Sequence, residues 1–173
     1  MTLRPLNATD VDAIFALLSD DRVIRFMLFP KFDRDRAYRF CRRFQVTTPV
    51  GDPPQVVFAI ADDRRGPVLG LCGLVLDGAQ RQGEAWYLLG PEHWGKGIAT
   101  AAVKDLIAHG FQHLHLHRIW ASCLPENLAS SRVLERNRFR KEGRHSRNLM
   151  IRGEWHDSET FALLAAEWIE PQG

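Results

Sequence analysis

Gly95, Lys96, Gly97, Ile98, Ala99 and Thr100 form the stretch of this chain with the plainest chemical meaning. They follow an apolar run, Trp86, Tyr87, Leu88 and Leu89, and open a helical pattern that continues to about Phe111. A strand, a glycine turn and a helix N-terminus make a seat for phosphate. Glycine lets the main chain come close to a ligand, the first helical N–H groups lack internal partners, and the dipole favours an anion. A second pair, Asn127 and Ser130, stands one turn apart at the start of another helical segment. An amide there can cap the helix or bind a ligand, and spacing alone leaves both open. Glu84, at the start of a strand, offers a carboxylate that is either a proton acceptor or a plain surface charge.

Three phosphate-binding patterns compete for the glycine turn. Gly90 to Lys96 spells G-x-x-x-x-G-K, but Gly97 follows where a P-loop needs the Ser or Thr that holds magnesium. No later apolar strand ends in an Asp that could replace it. The dinucleotide fingerprint G-x-G-x-x-G needs Gly or Ala at position 100, which is Thr100, and an acid about twenty residues on. The region around Trp120 reads Ala-Ser-Cys, and no acid comes before Glu126. The third pattern, [Q/R]-x-x-G-x-[G/A], is that of the GNAT N-acetyltransferases, where it cradles the pyrophosphate of acetyl-CoA. Gly97 and Ala99 match it, with Trp94 where Gln or Arg usually stands.

The rest of the chain resembles the same superfamily, and within it the branch that acetylates ribosomal-protein N-termini (alanine or serine) and its small-molecule relatives. The segment from Pro125 and Asn127 through Ser130, Arg132, Val133, Leu134 and Glu135 is similar to that branch's N-x-x-S-x-[KR]-V-L-E-[KR]. Residues 19–27 resemble its first-helix region, and residues 154–168 its last strand and ending. The family's Gly-Phe after the Asn–Ser helix appears here as Arg138-Phe139, which leaves Asn137 to make the turn, because Asn tolerates the left-handed region. The resemblance implies a single mixed α/β domain over residues 1–173. It further implies a twisted, mostly antiparallel seven-stranded sheet splayed between its fourth and fifth strands, with helices on both faces.

The elements read from the chain fit that expectation. Asp10 is placed to cap a helix carrying Val11, Ile14, Phe15, Leu17 and Leu18, and a second helix runs over about 33–44. Residues 55–61, 68–76, 83–89 and 118–124 read as strands, 97–111 and 128–137 as helices, and 141–151 and 154–164 as closing strands. Strands follow one another through hairpin-length turns, which favours an antiparallel sheet over a doubly wound one.

Composition describes an ordinary folded protein. With 173 residues the chain suits one domain, and 45% apolar with 25% charged residues is typical of globular chains. Basic residues number 23 against 21 acidic, a net +2, which argues against a dedicated nucleic-acid binder. Cys41, Cys72 and Cys123 are an odd set without metal-like spacing, the N-terminus has no apolar signal core, and no apolar run approaches about 20 residues. A cytoplasmic protein off the membrane, monomer or homodimer, is the expectation. His109, His113, His115 and His117 divide between a helix end and a strand start, so they predict no shared metal.

The resemblance assigns the site. Main-chain N–H groups of Gly95, Lys96, Gly97, Ile98, Ala99 and Thr100 would bind the pyrophosphate, and Lys96 would point away. Main-chain groups of Tyr87, Leu88 and Leu89 would pair with the pantetheine arm, and one N–H would stabilise the developing oxyanion; their side chains are expected to be ordinary core. Asn127 would hold the arm, Ser130 would donate to the departing thiolate, and Glu84 would take the amine's proton through water. Ser131 is off register, and Cys123 reads as a small buried hydrophobe rather than a nucleophile. The implied activity is direct attack of a primary amine on acetyl-CoA, with a protein N-terminus or a small-molecule amine as acceptor. A non-catalytic CoA-binding regulator, or a transferase of another acyl-CoA, is the alternative. Residues 27–32 and 143–157, with Trp155, His156 and Asp157, are the expected acceptor loops.

Overall fold

The computed structural model describes residues 1–168. Its strands are β1 (Thr2–Arg4), β2 (Gln55–Ala61), β3 (Val68–Asp77), β4 (Gln82–Leu89), β5 (Arg118–Cys123), β6 (Arg140–Ile151) and β7 (Glu154–Leu164). They form one 7-stranded sheet in the order β1-β2-β3-β4-β5-β7-β6. Every neighbouring pair is antiparallel except β4 and β5. The helices are α1 (Val11–Ser19), α2 (Asp21–Ile24), α3 (Arg34–Arg43), α4 (Ile98–Gln112) and α5 (Leu128–Arg136). The strand β1 is absent from the elements read along the chain because three residues are too few to show a period. The one-turn helix α2 falls within residues 19–27, the stretch that resembles the family's first-helix region.

Strand alternation divides the core in two. Val56, Phe58 and Ile60 of β2 face α4 and α5, together with Leu74, Leu106, Ile107 and Leu134. Val57 and Ala59, between them, face α1 and α3, together with Ile14, Leu18, Ala37 and Cys41. The sheet is therefore the middle layer of three. Among the described residues no helix is long and apolar enough to cross a membrane.

The β4–β5 seam matters most for function. Their parallel pairing covers only Gln82↔Arg118, Gly83↔Ile119 and Glu84↔Trp120. On its other edge β4 stays paired with β3 as far as Leu89↔Gly70. Beyond Glu84 the two central strands have parted, as the family resemblance implies.

Two local expectations need correction. Asp10 does not cap α1 with its side chain. Its carboxylate instead grips the buried Arg4 guanidinium at 2.7 and 2.9 Å and accepts the Asn7 N–H at 2.7 Å. The ion pair wins because an unpaired buried Arg4 would be far costlier than an uncapped helix start.

The turn after α5 is not made by Asn137, whose φ is −90°. Arg138 takes the left-handed conformation itself, with φ +63°. The Arg138 N–H donates to Glu135 O at 2.9 Å and the Phe139 N–H to Leu134 O at 3.1 Å, the two bonds of a Schellman ending. Buried Phe139 and Leu134 supply its hydrophobic contact. Asn137 is occupied elsewhere: its Nδ2 donates to Val133 O at 2.9 Å and to Thr100 O at 3.1 Å, tying α5 to the first turn of α4. Arg138→Gly should therefore raise stability by about 0.5–1 kcal/mol, because it relieves Cβ strain at a cost in chain entropy. Chemical denaturation would check this, and a midpoint unchanged or lowered would contradict it.

Candidate active site

A continuous cleft of about 1220 Å³ runs through the β4–β5 gap and along both faces of the sheet. On the α4 face its wall is the glycine turn. Gly95 and Gly97 have φ of +73° and +78°, and a Cβ built on either would meet no protein atom within 4 Å. These glycines are required by backbone handedness, and the space beside them is open to a ligand. Gly97 is the N-cap of α4 without a side-chain cap, and the first turn carries no acidic residue. Ile98, Ala99 and Thr100 thus begin a 15-residue helix whose first N–H groups are left for an anion. Gly95, Gly97, Ile98, Ala99 and Thr100 line the cleft, whereas Lys96 is exposed and does not.

Trp94, the residue that departs from the Gln/Arg of the pattern, has a definite place. Its indole Nε1 donates to Leu89 O at 2.9 Å, fastening the turn to the end of β4. This contact is not legible in the chain, since Trp is not a substitute in kind for Gln or Arg.

The main chain of β4 can be phased from one bond. The Gly90 N–H donates to Leu69 O at 2.9 Å, so in the β3–β4 register the hydrogen-bonded pairs fall at every second residue from there. Leu88, Trp86 and Glu84 then turn their N–H and C=O toward β3, and Ala85, Tyr87 and Leu89 turn theirs into the gap. Of the three main-chain positions expected to serve a ligand, Tyr87 and Leu89 are placed to do so. Leu88 is not, because β3 already occupies its polar groups.

Side chains on β4 alternate with the same period. Glu84, Trp86 and Leu88 share the α1/α3 face, where Leu88 and Trp86 join that core. Tyr87 points to the α4 face. There its hydroxyl lies 2.8 Å from Ser130 Oγ and donates to Ser130 O at 3.1 Å. Tyr87 is therefore more than core, which corrects the sequence expectation. The available signal was that a buried Tyr hydroxyl usually finds a polar partner, but the partner lay 43 positions away in the chain.

The remaining polar groups have clear settings. Asn127 caps α5, its Oδ1 accepting the Ser130 N–H at 3.3 Å, which leaves its Nδ2 available on the cleft wall. Ser131 Oγ is turned outward to Glu135 at 3.1 Å. Burial pushes the Tyr87 phenol well above its ordinary value, outweighing the Ser130 bond, so it remains a neutral donor. Burial likewise raises Glu84 above the usual carboxylate range. Cys123, beside Ser130, is pushed up to about 11, chiefly by burial. At pH 7 only about one part in ten thousand of it is thiolate, too little for a nucleophile.

Other singled-out residues stand apart from the cleft. His109 and His113 stack at 5.1 Å, with His109 edge-on to Phe58. Trp155, His156 and Asp157 lie in the β6–β7 hairpin, where Asp157 binds Arg144 and the Arg147 N–H. None of these three lines the cleft; from the expected second acceptor loop, Leu149 does. The first loop contributes Met27, Leu28, Phe29 and Phe32.

Comparison with known proteins agrees with this fold. The family description "Acetyltransferase (GNAT) domain" matches residues 1–140. The probable N-acetyltransferase YjcK of Bacillus subtilis is 33% identical over 171 residues, covering 94% of this chain and 92% of that protein. The [ribosomal protein uS5]-alanine N-acetyltransferase of Escherichia coli is 30% identical over 113 residues, 64% of this chain and 58% of its own length. Among solved structures, a spermidine N-acetyltransferase from Vibrio cholerae in complex with CoA and spermine superposes with a TM-score of 0.83. It has 23% identity and covers 96% of each chain, a likeness of fold.

Proposed function

Because this chain belongs to the GNAT family of acetyltransferases, we propose that it is a cytoplasmic, single-domain N-acetyltransferase that moves the acetyl group of acetyl-CoA directly to a primary amine. The observation that carries this reading is the β4–β5 gap, with a phosphate seat at one end and a Tyr87–Ser130 pair beside it. The seat fits a pyrophosphate because its glycines leave room where any Cβ would intrude. Tyr87 and Leu89 present main-chain groups to the pantetheine amides, and the Asn127 amide reaches the same arm. Leu89's carbonyl is already taken by Trp94, so the Leu89 N–H is the free group there, and a gap-facing N–H holds the developing oxyanion.

Glu84 lies on the opposite face and accepts the amine's proton, through water where needed. The neutral amine nitrogen then bonds to the acetyl carbon, and the C–S bond breaks with its electron pair leaving on sulfur. The nitrogen sheds its remaining surplus proton to Glu84, which has by then passed any ammonium proton on to water. Ser130 donates a hydrogen bond to that sulfur, with Tyr87 turning its one O–H from the Ser130 carbonyl to Ser130 Oγ in support. Burial holds the Tyr87 phenol above its ordinary value and so favours its neutral form; in this reading Tyr87 supports Ser130 by hydrogen bonding and the sulfur leaves as thiolate. Positioning two reactants supplies most of the rate in such a site.

A thiol-release assay over a panel of amines tests the proposal. CoA should appear only when an amine is present, with double-reciprocal lines that intersect, as a ternary complex requires. Tight acetyl-CoA binding without consumption by any amine would instead identify a non-catalytic regulator. Release without amine, in a burst equal to the enzyme concentration, would point to an acyl-enzyme.

A further inference from the structure

The half of the cleft on the α1/α3 face has a charge the transfer step does not call for. Its walls are largely aromatic, with Phe32, Phe40 and Trp86 prominent. Four arginines border it, yet Glu84 is the one carboxylate lining the whole cleft among the described residues. Arg22 and Arg39 are neutralised by Asp20 and Asp35. Arg36 and Arg43 have no carboxylate within salt-bridge distance among the described residues. Arg36, half-buried, lies 4.3 Å from the Phe32 ring centroid, and Arg43 lies 5.4 Å from that of Phe44.

The phosphates of CoA do not explain these two guanidinium groups. Their seat is the N-terminus of α4, and the arginines on that side, Arg132 and Arg136, belong to α5. Arg36 and Arg43 sit on α3, across the sheet, in the compartment that also holds Glu84. The half-buried Arg36 guanidinium beside the Phe32 ring is suited to a planar anion, which it can bind through two parallel hydrogen bonds. The exposed Arg43, two turns further along α3, adds positive charge to the same wall. The same wall repels a second or third ammonium on the acceptor.

We propose that the acceptor is a primary amine on an aromatic or apolar body that also carries a carboxylate. The carboxylate would sit against Arg36 and Arg43, with the amine directed to Glu84. This rests on the transferase reading above and narrows it to one acceptor class. A polyamine, with several positive charges and no anion, belongs to the excluded class.

Matched amines test the inference. Phenylalanine against phenethylamine, and 4-(aminomethyl)benzoate against benzylamine, differ by one carboxylate; spermidine supplies the polycation. Thiol release would give kcat/KM for each, and calorimetric titration into CoA-loaded protein would give binding without turnover. The carboxylated member of at least one pair should be favoured roughly ten- to hundredfold, the size of a charge-assisted hydrogen bond. In Arg36→Gln and Arg43→Gln that ratio should collapse toward one, while Arg36→Lys retains part of it.

Equal rates within both pairs, or a preference for spermidine, would overturn the inference and leave the transferase reading intact. Carboxylated amines that bind but are never acetylated would overturn the transferase reading and keep the anion subsite. The wild-type pairs carry the test even where an arginine variant fails to fold. If no carboxylated amine is bound or acetylated in preference to its partner, the inference is wrong.

Discussion

Acetyl-CoA binding is expected to vanish from calorimetric titrations of the Gly97→Asp variant. Two effects add. Residue 97 sits at φ +78°, where a Cβ costs about 1–2 kcal/mol. The new carboxylate would also stand where the pyrophosphate belongs. Two like charges about 4 Å apart repel by about 4 kcal/mol at the effective dielectric of a protein surface. Together these remove roughly a thousandfold or more of affinity. Gly97→Ala carries the strain alone and should lose about tenfold. Both variants should melt only a few degrees below wild type, the backbone strain being their shared cost, since a Cβ at residue 97 would meet no packed side chain within 4 Å. Undiminished binding in Gly97→Asp would mean that the phosphates sit elsewhere.

Glu84→Gln should lower kcat/KM by about a hundredfold or more with a lysine-like amine and much less with an N-terminal α-amine. The contrast follows from the acceptor. An α-amine with a pKa near 8 is roughly 10% neutral at pH 7, whereas a lysine near 10.4 is about 0.04% neutral and needs a base far more. The sign of the pH effect follows from burial, which raises Glu84 above its ordinary range. At acid pH Glu84 is protonated and cannot accept a proton, so activity rises with pH as it ionises, through a midpoint above that of a free carboxyl group. The Gln variant should lose that limb. Tyr87→Phe gives a different signature, because the leaving sulfur is the same for every acceptor. Its loss, about tenfold, should not depend on amine pKa. An unaltered acid limb in Glu84→Gln would remove Glu84 from the mechanism.

The glycine turn, the Asn–Ser pair and the strand-rich order could be read from the chain because each rests on local rules. Positive φ calls for glycine, strands repeat every second residue, and helices begin with a capping residue. What escaped depends on partners remote in sequence. Asp10 reads as a helix cap until Arg4, buried on β1, competes for it. Tyr87 reads as core until Ser130 comes alongside. Leu88 reads as equivalent to Leu89 until the ladder's phase is known, since hydrogen-bond parity is invisible in a run of apolar residues. Arg138 shows the converse case. Its identity argues against a left-handed residue, but the Phe139–Leu134 contact and the two Schellman bonds hold it there.

The alternation of β4 has a consequence for water. In the proposed reaction Glu84 finishes each turnover protonated, while Tyr87 and Ser130 finish as they began, because the sulfur leaves with its electron pair and meets its proton in bulk solvent. One side of the strand must therefore exchange a proton with solvent every cycle, and the other never needs to. The α4 side needs no path for a proton, only room for CoA to leave and acetyl-CoA to enter. The α1/α3 side must admit water in every cycle, so the two faces of one strand carry different demands on solvent.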